Sequence, residues 1–247
     1  MDIPSWWPSK KPYIIGDCLE GMKAIPNEVV SLIIGDPPYG INYVSGRENY
    51  KGHERKTPNT IVNDDRIDTR WLTEAFRILK PNSMLFLFSR WDVIHKWAEQ
   101  LSSAGFKIIE RLVWDKTHWG MGNLEYYGSQ TEDILFCIKG YPKMQWVKRR
   151  GNVIKTVSKR SLPEGMYHPN QKSLSLIAKL IIDTTAEGDT VFDPFLGSGT
   201  TLEACRKTNR NGVGFEIDKI YETVIQERAM SNITNIEGYG EDARKEG

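Results

Sequence analysis

The residues with the most specific chemical potential form a run of four. Asp36-Pro37-Pro38-Tyr39 follows the apolar stretch SLIIG at 31–35 and precedes Gly40. Two successive prolines after a strand end its hydrogen-bond ladder and fix φ, so the groups beside them are held rigidly at the sheet edge. That edge is where open α/β sheets bind ligands. A carboxylate beside a carbonyl can accept both N–H groups of an exocyclic amine. On adenine such an amine is a poor nucleophile, because its lone pair is delocalised into the ring. Accepting both hydrogens draws the nitrogen toward tetrahedral geometry and frees the lone pair, an electrostatic effect with no covalent step. Asp36 and the Pro37 carbonyl are the candidates for this work. Tyr39 is a candidate for stacking on a base taken out of its helix. The bland alternative is a proline-rich turn with a surface tyrosine.

A second constellation lies near the other end, where residues 191–201 read VFDPFLGSGTT. Gly197 and Gly199 let a ligand approach the backbone, and a helix opening at Thr200 offers free N–H groups to an anion. A phosphate-binding loop would need Gly-Lys-Ser/Thr before the helix, and no lysine is present. The dinucleotide fingerprint would need a third glycine where Leu202 stands. S-adenosylmethionine fits better, being a nucleoside with an amino-acid tail and no pyrophosphate. Its carboxylate can use the N–H groups of the turn, its ammonium an acid such as Asp193, and its sulfonium gains from negative surroundings. Its ribose diol wants an acid at the end of the next strand, where GVGFE ends in Glu216. Alternatively, Asp193 only caps the helix and Glu216 ends a surface strand.

Both constellations need a sheet to carry them. Strands are predicted at 13–16, 29–36, 84–89, 106–114, 133–139, 189–194 and 211–218. Their unbroken apolar runs suit strands covered on both faces by helices. Amphipathic helices are predicted at 68–80, 91–104, 173–185 and 200–209, with Asp68 as a cap for the first and Pro81 as its stop. This alternation specifies a doubly wound α/β fold. Residues 41–66 and 139–163 break the rhythm and read as projecting inserts.

Length and composition bound the partners. The chain has 247 residues, 39% hydrophobic, with 33 Lys+Arg against 32 Asp+Glu. No apolar run approaches the ~18 residues of a membrane span, and the opening MDIPSWWPSKK does not read as a secretory signal. Cys18, Cys137 and Cys205 are too far apart for a disulfide framework or a CxxC metal site, so a reduced, cytoplasmic protein without metal is expected. The near-neutral total conceals an asymmetry. Residues 139–163 hold eight basic residues and no acid, leaving 25 basic against 32 acidic elsewhere. Such a segment reads either as a polyanion surface, with Tyr141 and Trp146 as stacking groups, or as a solvated hairpin.

Taken together, these motifs resemble the DNA amino-methyltransferases, the N6-adenine and N4-cytosine enzymes. The resemblance is to the β class, whose catalytic half precedes its cofactor half, and it runs from Tyr13 to about Arg228. YIIGDCLEGMKAIPNEVVSLIIGDPPYG looks like the opening of that group, WLTEAFRILKPNSMLFLF and VWDK like its middle motifs, and FDPFLGSGTT with GFEID like its cofactor half. His168-Pro169-Asn170-Gln171-Lys172-Ser173 looks like its HPTQKP. Asn170 and Ser173 depart from that pattern, as Asn82-Ser83 depart from a common glycine pair.

The resemblance implies a Rossmann-like, mostly parallel seven-stranded sheet with one antiparallel strand and a small basic insert. It implies a catalytic half at 1–139, target recognition at 140–167 and a cofactor half at 168–247. It places Asp17 and Cys18 near the cofactor's adenine, and His168, Asn170, Gln171 and Lys172 near its methionine end. Asp36, Asp193, Phe195, Gly197, Ser198, Gly199, Thr200 and Glu216 complete the implied pocket. Asp36 at the head of the tetrapeptide, where the N4-cytosine enzymes usually carry Ser, favours adenine.

Double-stranded DNA is the expected partner, with a short recognition site as in restriction-modification systems and base flipping. Expected phosphate contacts are Arg47, Lys51, Arg55 and Lys56 in the first insert, and Lys148, Arg149, Arg150, Lys155, Lys159 and Arg160 in the second. The rivals are N4-cytosine, an RNA adenine, or a binding protein that no longer turns over; a homodimer is as admissible as a monomer. His53, His95 and His118 lack triad or metal spacing and read as loop or helix-face residues. Trp6-Trp7-Pro8 is expected to pack on the body, and Asp64-Asp65 to cap or solvate a loop end.

Overall fold

The computed structural model describes residues 1–40, 62–119, 126–146, 149–156 and 171–230. Eight strands form one sheet: β1 (Tyr13–Ile15), β2 (Val30–Gly35), β3 (Leu79–Ser89), β4 (Lys107–Asp115), β5 (Thr131–Lys139), β6 (Val153–Lys155), β7 (Thr190–Asp193) and β8 (Asn211–Glu216). Their order is β1-β8-β7-β2-β3-β5-β4-β6. β5 runs antiparallel to both its neighbours, and every other pairing is parallel.

Each of the seven anticipated strands is present, and the count of seven is corrected to eight. β6 lies inside the basic insert and adds to the free edge of β4. Only Ile154 of its three residues is buried, so its alternation is too short to be read as a strand from sequence.

Helices cover both faces. α1 (Cys18–Met22), α2 (Trp71–Ile78) and α3 (Ile94–Ser103) pack Met22, Trp71, Leu72 and Trp97 onto Ile33, Leu85 and Leu87. α4 (Leu174–Thr184) and α5 (Thr200–Lys207) pack Leu176, Ile177, Ile181 and Ala204 onto Leu32, Ile34, Phe86 and Phe88. Alternate residues of β2 and β3 thus serve opposite cores, as period-two geometry requires when both faces are covered. A 3-10 turn (Lys219–Tyr221) leads into α6 (Glu222–Met230), whose Ile225 packs with Tyr13, Leu196, Leu202 and Tyr221. α1 and α6 are not in the sequence reading, since one is five residues long and the other lacks a clear apolar stripe.

Local details correct two further expectations. α2 has no side-chain cap, and Asp68 instead accepts from the Arg70 amide and guanidinium. The helix ends at Ile78, before Pro81, because Leu79 is already extended and enters β3. Asn82 takes a left-handed φ of 57°, which asparagine tolerates, and its Oδ1 accepts from the Tyr141 amide. Trp7 is buried against Phe215 and Phe192, so that part of the N-terminal aromatic cluster packs on the body. Asp64 is buried and accepts from the Gly40 amide at 2.8 Å.

Candidate active site

β1, β8, β7 and β2 are neighbours and parallel, so their C-terminal ends open on the same edge. The helix after β7, α5, lies on one face, and α2, which follows β2, lies on the other. The chain therefore parts between β7 and β2, the topological switch point where such sheets form a ligand crevice. A cavity of about 400 Å³ occupies it, lined by Gly16, Asp17 and Cys18 after β1, Asp36 to Tyr39 after β2, Asp193 to Ser198 after β7, and Glu216 to Asp218 after β8. The acid-proline edge and the Gly-rich turn, about 160 residues apart in sequence, share one cavity.

The turn after β7 is shaped by its backbone. Gly197 and Gly199 have φ of 53° and 81°, left-handed values that side-chain-bearing residues rarely adopt. Asp193, 5% exposed, accepts from the Thr201 hydroxyl at 2.6 Å and the Phe195 amide at 2.8 Å. Burial, reinforced by Asp36 and Glu216, pushes its carboxyl up to about 7. Glu216, 8% exposed, accepts from the Gly197 amide at 2.6 Å and the Asp218 amide at 2.8 Å. Burial pushes it up to about 7 as well, against those two hydrogen bonds.

Among the described residues, neither acid has a cationic side chain within ion-pair distance. A pocket whose two buried acids have no cationic partner suits a cationic ligand with hydroxyls. The donor set therefore fits S-adenosylmethionine.

The remaining pocket residues differ in their freedom. Asp17 caps α1 by accepting from the Leu19 amide at 2.8 Å. Cys18 lines the cavity and is buried, which pushes its thiol up to about 12 and keeps it protonated. Phe195 meets Trp71 edge-to-face, with ring centroids 5.2 Å apart. Thr200 opens α5 and is buried. The Ser198 hydroxyl donates to Gln171 Oε1 at 3.3 Å and accepts from Arg228 at 2.9 Å. Arg228 also pairs with Glu203, so a buried arginine braces the turn from behind.

At the tetrapeptide, the Tyr39 hydroxyl donates to Asp36 Oδ1 at 2.7 Å. Lys172 Nζ lies 2.9 Å from Asp36 Oδ2 and 2.9 Å from Glu132 Oε2. A carboxylate has about four lone-pair sites, so each Asp36 oxygen keeps accepting capacity after these contacts. Glu132 is absent from the sequence reading. It is the second residue of β5, 40 residues before its partner, and no linear spacing signals such a pair.

On the predicted nucleic-acid side, Arg149 and Lys155 are exposed, while Arg150 is 3.5 Å from Asp183 of α4. Arg47, Lys51, Arg55, Lys56, Lys148, Lys159, Arg160, His168, Asn170 and His53 lie outside the described residues. His95 is exposed on α3 and His118 in the segment after β4.

Residues 30–227 match the family model described as DNA methylase, of the N6/N4 type. The chain belongs to the N6/N4 DNA methylase family. It is 27% identical to the type II methyltransferase M.HpaI of Haemophilus parainfluenzae over 94% of this chain and 78% of that protein. It is also 27% identical to M2.DpnII of Streptococcus pneumoniae, over 95% and 96%. Among solved structures, the M1.HpyAVI complex with S-adenosylmethionine superposes with a TM-score of 0.68 at 26% identity, covering 87% of this chain and 97% of that one. The cytosine-N4-specific PvuII methyltransferase superposes at 0.71 with 17% identity, covering 96% and 95%, a likeness of fold. This DNA methylase carries no helix, among its described residues, long and apolar enough to cross a membrane.

Proposed function

We propose that this DNA methyltransferase transfers a methyl group from S-adenosylmethionine to adenine N6 in double-stranded DNA. The observation that carries the reading is the single cavity holding Asp36 at one wall and Asp193 with Glu216 at the other. S-adenosylmethionine, when bound, supplies an electrophilic methyl group. Glu216 would accept from the ribose hydroxyls and Asp193 from the ammonium. The turn at 197–199 would offer its N–H groups to the carboxylate, and Phe195 and Asp17 would flank the nucleoside. Gln171 would reach the same end through Ser198.

Asp36 and the Pro37 carbonyl would accept the two N–H groups of the target amine and polarise it. Tyr39, its hydroxyl anchored on Asp36, would stack on the flipped base. Holding amine and methyl donor in line accounts for much of the remaining rate. Acid at the head of the tetrapeptide supports adenine over cytosine. Arg149 and Lys155 are the expected phosphate contacts that lie exposed among the described residues. Three free, buried cysteines suit a reduced cytoplasmic setting.

The test is mass spectrometry of nucleosides from duplex DNA and from RNA treated with the protein and labelled cofactor. N6-methyladenine in the DNA is the expected product. N4-methylcytosine, or label in RNA alone, would replace this reading.

A further inference from the structure

We propose that Lys172 and Glu132 form a buried positioning pair that holds Asp36 in place and sets the charge facing a cationic cofactor. The inference rests on the reading of Asp36 as the amine acceptor and adds two residues to it. Lys172 is 6% exposed, and its ammonium has three N–H groups. They are directed at Asp36 Oδ2 at 2.9 Å, Glu132 Oε2 at 2.9 Å and the Tyr39 hydroxyl at 3.4 Å. The same ammonium stands over the Phe88 ring, 5.0 Å from its centroid. One lysine thus touches both side chains proposed to meet the target base, and the apolar ring beneath limits where it can move.

The pair also solves an electrostatic problem. A lone ammonium beside Asp36 would cancel the acceptor's charge and repel a sulfonium in the same cavity. Glu132 offsets that ammonium, and with Lys116 on its other oxygen the four groups sum to zero, so Lys172 does not stand as an unopposed cation. Lys116 meets the other oxygen of Glu132, Oε1, at 3.2 Å. Burial alone would lower the pKa of Lys172; Asp36 and Glu132 override it and hold the ammonium above its ordinary range. Stability is a poor account of such a cluster, since buried ion pairs are often no better than apolar replacements.

The experiment compares the full-length wild type with Glu132→Gln, Lys172→Met, Lys172→Arg and Asp36→Ala. It reads kcat on duplex DNA, and calorimetric Kd values for S-adenosylmethionine and S-adenosylhomocysteine. Only the first ligand carries the sulfonium charge, so the ratio of the two affinities reports the local field and not general loosening. Glu132→Gln should lower kcat about tenfold and shift the ratio about threefold against the cation, consistent with removal of one charge-assisted hydrogen bond. Lys172→Met should lower kcat about tenfold to a hundredfold and shift the ratio toward the cation, while Lys172→Arg keeps the wild-type ratio.

Wild-type kcat, or an unmoved ratio, in Glu132→Gln overturns the proposal. If Lys172→Met does not fold, the near-isosteric Glu132→Gln decides alone. An inactive Asp36→Ala beside wild-type behaviour of the pair's variants sinks only this inference. An active Asp36→Ala sinks the reading beneath it.

Discussion

The acid-lined cavity and the basic insert are built in opposite ways. Around the cavity the charged groups are attached to strands of the central sheet: Asp193 ends β7, Glu216 ends β8 and Asp36 follows β2. Each is fixed through its own oxygens, by backbone amides, by the hydroxyls of Thr201 and Tyr39, or by Lys172. The insert is tied to the sheet through β6, three residues long, and its cations are put to different uses. Lys139, the last residue of β5 where the insert departs, donates to the Phe76 and Leu79 carbonyls at the end of α2. Arg150 turns back to Asp183. Arg149 and Lys155 face solvent.

The contrast separates charge from address. A carboxylate at the end of a buried strand has one place to be. A run of lysines and arginines has a total, and the fold decides which of them remain available to a partner.

Substitutions at the two regions should therefore differ in size and kind. The largest effect is expected at Asp36. Asp36→Ala should lower kcat about 10²–10³-fold, the scale for removing one preorganised electrostatic group. Cofactor Kd should rise only about threefold by calorimetry, the scale set by losing one charge beside Lys172, since Asp193 and Glu216 hold that ligand. A cofactor Kd that rose as steeply as kcat fell would make Asp36 chiefly a cofactor ligand and blur the contrast.

Next comes Glu216→Gln, which should weaken S-adenosylmethionine binding about tenfold to a hundredfold through removal of a charged acceptor. Wild-type affinity in that variant would remove Glu216 from the ribose site.

A pH series probes the same wall without mutation. Burial raises Asp193 and Glu216 to about 7, so the free protein favours their neutral forms. The stability they contribute is complete below their unfolded values of about 4 and is lost as pH rises through about 7. A cationic, hydroxyl-bearing ligand prefers the ionised forms. Its affinity should therefore fall about tenfold or more from about pH 8 to about pH 6, while these groups favour the free fold over the same descent. Calorimetry and thermal melts at each pH check both signs. Parallel trends would contradict the assignment of the buried acids to the cofactor.

The smallest effects belong to the insert. Replacing Arg149 and Lys155 together by Ala should weaken DNA binding several-fold and flatten the slope of log K against log salt by about 2, at roughly 0.9 for each phosphate no longer neutralised. Lys139→Ala should leave that slope alone and instead lower the melting temperature, because it removes hydrogen bonds at the end of α2. If Lys139→Ala flattened the slope as much, charge count would be a sufficient guide after all.

Much of the sheet was legible because parallel strands buried on both faces, such as β2, β7 and β8, leave unbroken apolar runs; the antiparallel β5 and the half-exposed β4 were anticipated as well. β6 was not, since three residues in a cation-rich stretch cannot show a period. The Gly-rich turn was legible for a related reason: left-handed backbone at 197 and 199 demands glycine, so the conformation is written in the residue type. Glu132 and Arg228 were illegible. Their worth lies in meeting Lys172 and Ser198, which stand 40 and 30 residues away along the chain.

By itself, the order of residues determined the doubly wound class, the tetrapeptide at the end of β2 and the glycine turn ahead of α5. These depend on local sterics and on the periodicity of apolar side chains, which act over a few residues. Only the tertiary structure decided that β7 pairs with β2, bringing the two constellations to one cavity. It alone decided that Lys172 joins Asp36 to Glu132, and that some basic residues of the insert turn inward. Such pairings depend on distances across the fold, and spacing along the chain does not carry them.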